Sequence, residues 1–87
     1  MSDDEAIAAE IVGQLARRAA TSSICPSEVA RALAREDGAW RVLMPQVRAV
    51  AARLRDAGQV RITRGGREID PATLHTGAIR LARGPAF

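Results

Sequence analysis

The chain has 87 residues, of which 47% are hydrophobic, and this length and composition are typical of one small folded domain. All 13 basic residues are arginine, which against ten acidic residues gives a formal net charge of +3. With one cysteine and no apolar run near the ~20 residues of a membrane span, we exclude an internal disulfide, a cysteine-cluster metal site and membrane insertion, and expect a cytoplasmic protein.

The first predicted helix covers residues 4–20. Its apolar stripe, at helical spacing, consists of Ile7, Ile11, Val12, Leu15 and Ala19. Glu10, Gln14 and Arg17 are expected on the opposite, polar side. After the helix, Ile24 is predicted to lie in a very short strand.

The second predicted helix begins at Cys25-Pro26-Ser27-Glu28. Proline suits the first helical position because its missing N–H would be unpaired there anyway. Glu28 lies in the first turn, where the helix dipole favours a negative charge. The buried side is predicted to hold Val29, Ala30 and Leu33, and Glu36-Asp37-Gly38 signals a turn.

The third predicted helix covers about residues 39–57 and ends before Gly58, a typical C-terminal stop. Its core stripe consists of Trp40, Leu43, Met44, Val47, Val50, Ala51 and Leu54. Pro45 interrupts this pattern, so the helix either continues with a kink or restarts with Pro45 at its first position. We expect a short first turn followed by the restart.

Residues 59–70 are predicted to form a hairpin with a two-residue turn at Gly65-Gly66. The resulting register pairs Ile62 with Ile69, Thr63 with Glu68, Arg61 with Asp70 and Arg64 with Arg67. Ile79 and Leu81 alternate with Arg80, which is the pattern of a final strand. Residues 1–4 and 84–87 are expected to be frayed ends.

This order of elements predicts a winged helix-turn-helix: mainly α, with three helices, a small β-sheet and a β-hairpin wing, in a single domain over residues 1–87. In such a fold the third helix and the wing both face a DNA duplex. Candidate nucleic-acid-binding residues are Gln46, Arg48, Arg53, Arg55, Arg64 and Arg67. Arginine and glutamine can contact base edges and phosphates.

Two interpretations of these arginines are open. Directly opposed arginines at the hairpin tip repel each other, and a phosphate beside them would offset that cost. Alternatively, Arg64 and Arg67 are simply solvated, because surface charges in water repel only weakly. On the third helix, Asp56 lies on the same exposed side and would repel phosphate. The arginine-only composition also has two explanations, a GC-rich genome or phosphate binding.

The remaining chemically distinctive residues favour structural roles. Cys25 is interpreted as a small buried hydrophobe, and Trp40 as a core anchor. His75 has no partner at a metal-ligand spacing and no nucleophile to orient. We therefore expect no enzymatic activity, no metal and no cofactor.

Several short segments together form a recognisable pattern over about residues 7–83. They are Cys25-Pro26-Ser27-Glu28-Val29-Ala30, residues 40–44, Val47-Arg48, Gly66-Arg67 and residues 77–81. The pattern resembles a small bacterial family of domains of unknown function. The resemblance implies a winged-helix fold and a stand-alone bacterial protein, and it implies no particular activity.

The leading functional hypothesis is a non-enzymatic winged-helix protein that binds double-stranded DNA, with the third helix in the groove and the wing on the backbone. The alternative is a protein–protein interaction module or homodimer without nucleic-acid binding, which the modest net charge and the acidic N-terminal segment favour. A continuous positive face across the third helix and the wing would distinguish the first hypothesis from the second.

Overall fold

A computed structural model of the chain describes residues 3–35, 38–69 and 78–87. Within these ranges there are three helices and a four-stranded antiparallel sheet, in a topology consistent with a winged helix, as predicted. The elements in chain order are α1 (Asp3–Ala16), β1 (Ser23–Ile24), α2 (Pro26–Leu33), α3 (Trp40–Asp56), β2 (Val60–Arg64), β3 (Arg67–Glu68) and β4 (Arg80–Arg83). The predicted turn at Glu36-Asp37, the Arg61–Asp70 pair and His75 lie outside the described residues.

The strand order is β1-β4-β2-β3, so the last strand of the chain lies between the first two. β4 pairs with β1 through Ile24 and Leu81, and with β2 through Ile62 and Leu81. Strand alternation then places the side chains of these residues on one buried face of the sheet. This face packs against the helices, and the predicted strands at Ile24 and at residues 79–81 are both confirmed.

The predicted hairpin register is confirmed on the described residues. Thr63 is opposite Glu68, and the Ile69 N–H donates to the Ile62 carbonyl at 2.9 Å. Gly65 and Gly66 have φ values of 58° and 81°, the left-handed region that a two-residue hairpin turn requires. β3 is an edge strand, on the side of β2 away from β4.

The helices and the sheet enclose one hydrophobic core. Its buried members are Ile7, Ile11, Leu15, Ile24, Val29, Ala30, Val47, Val50, Ala51, Val60, Ile62, Ile79 and Leu81. Trp40 packs against this core but is only partly buried. Among the described residues, the structure holds no helix with the length and apolar character needed to cross a lipid bilayer.

The prediction for α1 was wrong at two points. The helix ends at Ala16, four residues early, and Arg83 of β4 stabilises this end: its Nη2 donates to the Leu15 oxygen at 3.1 Å and to the Arg18 oxygen at 3.0 Å. Gln14, placed on the polar side, is instead buried, with 9% of its surface exposed. Ala19 is exposed, so the apolar stripe stops with the helix.

α2 begins as predicted, with Pro26 at its first position and Cys25 as N-cap. The Cys25 N–H donates to Glu28 Oε2 at 2.7 Å, which is the reciprocal half of a capping box. This bond, followed by the Coulombic attraction and hydrogen bond of Arg18, holds the pKa of the Glu28 carboxyl below its ordinary value of 4.5. The start of the helix is therefore stabilised by an ionised side chain.

The expected restart of α3 at Pro45 was wrong, because one helix of 17 residues runs through this position. Proline removes a single backbone bond, and the exposed side chains of Pro45 and Arg41 leave that site open to water. At the other end, the Gly58 N–H donates to the Arg55 oxygen and the Gln59 N–H to the Leu54 oxygen, both at 2.9 Å. These two bonds form the predicted glycine-terminated stop.

The last described segment, residues 84–87, was expected to be frayed. In the structure the Gly84 N–H donates to the Gln59 oxygen at 2.9 Å, and the Ala86 N–H donates to the Gly58 oxygen at 2.8 Å. The Arg83 guanidinium also lies over the Phe87 ring, 4.7 Å from its centroid. The segment therefore lies against the turn that joins α3 to β2.

Candidate nucleic-acid interface

Residues 64–67 form the wing tip, and here Arg64 and Arg67 are directly opposite each other, as predicted. Both are exposed, and neither contacts an acidic side chain among the described residues. Strand alternation from Val60 and Ile62 places Arg64 on the helix-facing side of the sheet, and Arg67 shares that side as its cross-strand partner. The wing tip therefore presents two unpaired cations on the side where the helices lie.

The arginines on the other face of the sheet differ in their contacts. Arg61 Nε lies 3.9 Å from Glu68 Oε2, across the hairpin. Arg80 donates from Nε to Ser23 Oγ at 3.0 Å and from Nη2 to the Ser23 oxygen at 2.9 Å. These side chains have partners within the sheet, whereas the wing-tip pair has none among the described residues.

On α3, Arg41, Arg48 and Arg55 recur every seven residues and form one line, which we call the basic edge. Arg48 is partly buried and has no acidic partner among the described residues. Arg55 Nη1 lies 3.5 Å from Asp56 Oδ1, so its charge is partly compensated. The basic edge carries the predicted site residues Arg48 and Arg55, together with Arg41.

The other two predicted residues of α3, Gln46 and Arg53, contact α1 instead of facing freely outward. Gln46 Nε2 donates to Asp4 Oδ1 at 2.9 Å, and Arg53 Nη2 donates to the second oxygen of the same carboxylate. These two hydrogen bonds, with Gln46 first, hold the pKa of the Asp4 carboxyl below 3.8. Arg53 stays 64% exposed, whereas the amide of Gln46 is partly buried against α1.

The outward face of α3 is apolar between residues 42 and 49, and the exposed Asp56 lies on the same face at the end of the helix. Val42, Pro45 and Ala49 follow at spacings of three and four, so they form one stripe, which we call the apolar strip. All three are exposed, and Val42 has 81% of its surface in solvent.

Trp40 has two cationic neighbours that sequence spacing did not reveal. The guanidinium carbon of Arg31 lies 4.4 Å from the ring centroid, and that of Arg41 lies 4.9 Å from it. Cation–π attraction holds both charges at the corner between α2 and α3. The indole therefore anchors the core with one part of its surface and orders two arginines with the rest.

Charge is segregated between the helices. α1 contains four acidic residues and no basic one, whereas α3 contains four arginines and a single aspartate. Of these two helices, α1 is therefore the acidic one and α3 the basic one.

A comparison with known families agrees with the resemblance noted in the sequence. Residues 4–84 match the model of DUF3253, whose description is a protein of unknown function. No curated protein matches the chain significantly. The match confirms the family that the pattern around Cys25 and Trp40 indicated, and it carries no assignment of activity.

Proposed function

We propose, for a chain that belongs to the DUF3253 family of proteins of unknown function, that it binds double-stranded DNA and catalyses no reaction. In this proposal α3 lies along the major groove, and the wing tip contacts the phosphate backbone. Binding depends chiefly on contacts between arginine and phosphate, so affinity falls steeply as salt concentration rises.

The observation that carries the proposal is the pair Arg64 and Arg67. They are directly opposed, exposed and without an acidic partner among the described residues. Opposed like charges destabilise a hairpin, and a phosphate placed between or beside them turns that repulsion into attraction. If these two positions served only to keep the hairpin soluble, one positive and one negative side chain would do so without the repulsion.

The basic edge of α3 supports the same conclusion. Arg41 and Arg48 lie on the outward part of the helix, and neither forms an ion pair among the described residues. Guanidinium groups bind phosphate oxygens in a planar, bidentate geometry that a lysine ammonium cannot match. With the wing tip, the basic edge supplies two rows of cations for the two sides of a groove.

The test is a fluorescence anisotropy titration of a labelled duplex of random sequence, repeated at several salt concentrations. The variant Arg64→Ala with Arg67→Ala is expected to weaken binding about tenfold or more. It should also reduce the slope of log K against log salt by about two, because two phosphate contacts are lost.

The matched control is Arg17→Ala with Arg61→Ala, which removes the same charge from α1's end and from the opposite face of the sheet. This control is expected to change affinity only slightly. An absence of binding at low ionic strength overturns the proposal, and so does an equal loss of affinity in the two double variants.

A second candidate function, a protein-interaction module, is favoured by the exposure of Val42 on α3. An apolar side chain that is 81% exposed in the first turn of α3 suits contact with a partner protein or a second copy of the chain. Light scattering after size-exclusion chromatography, with Val42→Ser as comparison, tests self-association.

A further inference from the structure

We propose that the apolar strip of α3 recognises the C5-methyl groups of thymine in the major groove. This inference rests on the proposed DNA binding and adds to it a chemical basis for preferring some duplexes over others. The strip consists of Val42, Pro45 and Ala49, which together present methyl and methylene groups at the centre of the outward face.

The strip occupies the part of α3 that would enter a groove most deeply. Pro45 and Ala49 are each two residues from the buried Val47, a spacing that places them on the side of the helix away from that core residue, and Val42 is exposed beside them. Their side chains are short, so the helix backbone can approach base edges closely. Thymine is the base that offers an apolar group in the major groove, and alanine-sized side chains contact that methyl directly.

Hydrogen-bonding readers are displaced from this central position. Gln46, whose amide could form a bidentate contact with adenine, donates instead to Asp4. Arg53 donates to the same carboxylate. Both side chains therefore contact α1. In the proposed complex the apolar strip contacts the bases through methyl and methylene groups, without polar atoms from these two residues.

The charges beside the strip favour DNA over a protein as its occupant. Arg41 and Arg48 lie beside the strip on the basic edge. Neither has an acidic partner among the described residues. An apolar stripe bordered on one side by cations without an acidic partner is complementary to a groove in which base methyl groups lie beside a row of phosphates.

The test compares a T-rich duplex with the same duplex in which every thymine is replaced by deoxyuridine, so that only the C5-methyl groups are removed. The unmodified protein is expected to bind the thymine duplex more tightly, by about fourfold for each methyl that it buries. A third duplex carrying 5-methylcytosine in place of cytosine is expected to bind more tightly than its unmethylated counterpart, because the methyl projects into the same groove.

Val42→Ser is expected to lose most of this discrimination. It should keep the salt dependence, since it removes no charge. Ala9→Ser, on the exposed side of α1, is the matched control and should retain the full discrimination. Deoxyuridine also alters duplex shape, and a preference caused by shape would persist in Val42→Ser. Comparing the two proteins therefore separates the effect of duplex shape on affinity from the effect of the methyl contact.

Equal affinity for the thymine and deoxyuridine duplexes overturns this inference and leaves DNA binding intact. Absence of affinity for every duplex overturns the proposed function itself. A dimer in light scattering that Val42→Ser dissociates overturns the inference by a different route, because the strip would then be covered by a second copy of the chain.

Discussion

Gln14 on α1 donates a hydrogen bond from Nε2 to the backbone oxygen of Glu28 on α2, across 3.2 Å. The same nitrogen donates to Glu10 Oε2 at 2.9 Å. Gln14 is the polar residue buried within the described core, and its two bonds satisfy the donor capacity that burial would otherwise leave unpaired. The contact joins the last turn of α1 to the first turn of α2.

We predict that Gln14→Ala lowers the free energy of unfolding by about 1–2 kcal/mol, because it removes these hydrogen bonds and leaves a small cavity. Urea denaturation at neutral pH measures the change. Gln59→Ala is the control, since Gln59 is exposed, and we expect a change within about 0.5 kcal/mol there. Equal effects in the two variants would show that Gln14 does not link the helices energetically.

Glu28 should make stability depend on pH. Its pKa is lowered in the folded state, so the ionised carboxylate contributes stability that is fully present above about pH 4.5 and is lost as the pH falls through the lowered value. In Glu28→Gln the amide oxygen can still accept the Cys25 N–H, but the charge is removed. We expect the wild type to exceed this variant in stability at pH 7, and the difference to shrink as the pH falls below about 4.5.

The measurement is a urea titration of both proteins at each pH. Glu28→Ala, which also loses the capping bond, is expected to cost about 1 kcal/mol at pH 7. A difference between wild type and Glu28→Gln that stays constant with pH would contradict the electrostatic part of this explanation.

Gly84 lies where the chain has no room for a side chain. A Cβ at this position would be 2.3 Å from the Gly58 oxygen and 2.8 Å from the Val60 nitrogen, both backbone atoms. We predict that Gly84→Ala lowers the free energy of unfolding by about 2–3 kcal/mol. Gly13→Ala, in α1, meets only the flexible end of Arg17 and should raise it by roughly 0.5–1 kcal/mol.

These two glycine variants are compared by the midpoints of their urea unfolding curves. The same chemical change is expected to lower the free energy of unfolding at residue 84 and to raise it at residue 13. At Gly84 the added Cβ would meet backbone atoms, whereas at Gly13 it lies in a helix beside a flexible side chain. If Gly84→Ala also stabilised the protein, the prediction would be contradicted, because a Cβ at residue 84 would then have room.

Asp4 competes with DNA for Arg53 in the proposed complex. Their ion pair is exposed, so a phosphate can replace the carboxylate at small cost. We expect Asp4→Asn to bind random duplex about two- to threefold more tightly and to increase the salt slope by about one. Asp3→Asn is the control, because it removes the same charge from the same turn. A similar increase in affinity in this variant would show that the effect comes from net charge alone.

The parts of the fold that the sequence predicted well are those decided by neighbours along the chain. The start of α2 follows from Pro26 and Glu28, which suit a first helical turn, and the wing register follows from Gly65-Gly66. In both, the turn chemistry and the alternation of apolar residues leave a single consistent arrangement. The opposition of Arg64 and Arg67, the central feature of the site, was obtained in this way.

What the sequence did not predict depends on contacts between distant segments. Asp4 meets Gln46 and Arg53 across 42 and 49 residues, and Arg83 ends α1 from 68 residues away. Helical spacing assigns a residue to one side of its own helix, but it does not say which element faces that side. For this reason two of the six candidate residues contact α1, a partner that no local pattern indicates.

The order of strands in the sheet has a consequence for how the protein is made. β4 is the central strand for β1 and β2, yet it is the last of the four along the chain. During synthesis the apolar side chains of Ile24 and Ile62 emerge from the ribosome well before Leu81, the residue that pairs with both. Because β1 and β2 do not pair with each other, the sheet can be completed only after residues 80–83 have been synthesised and have paired with both.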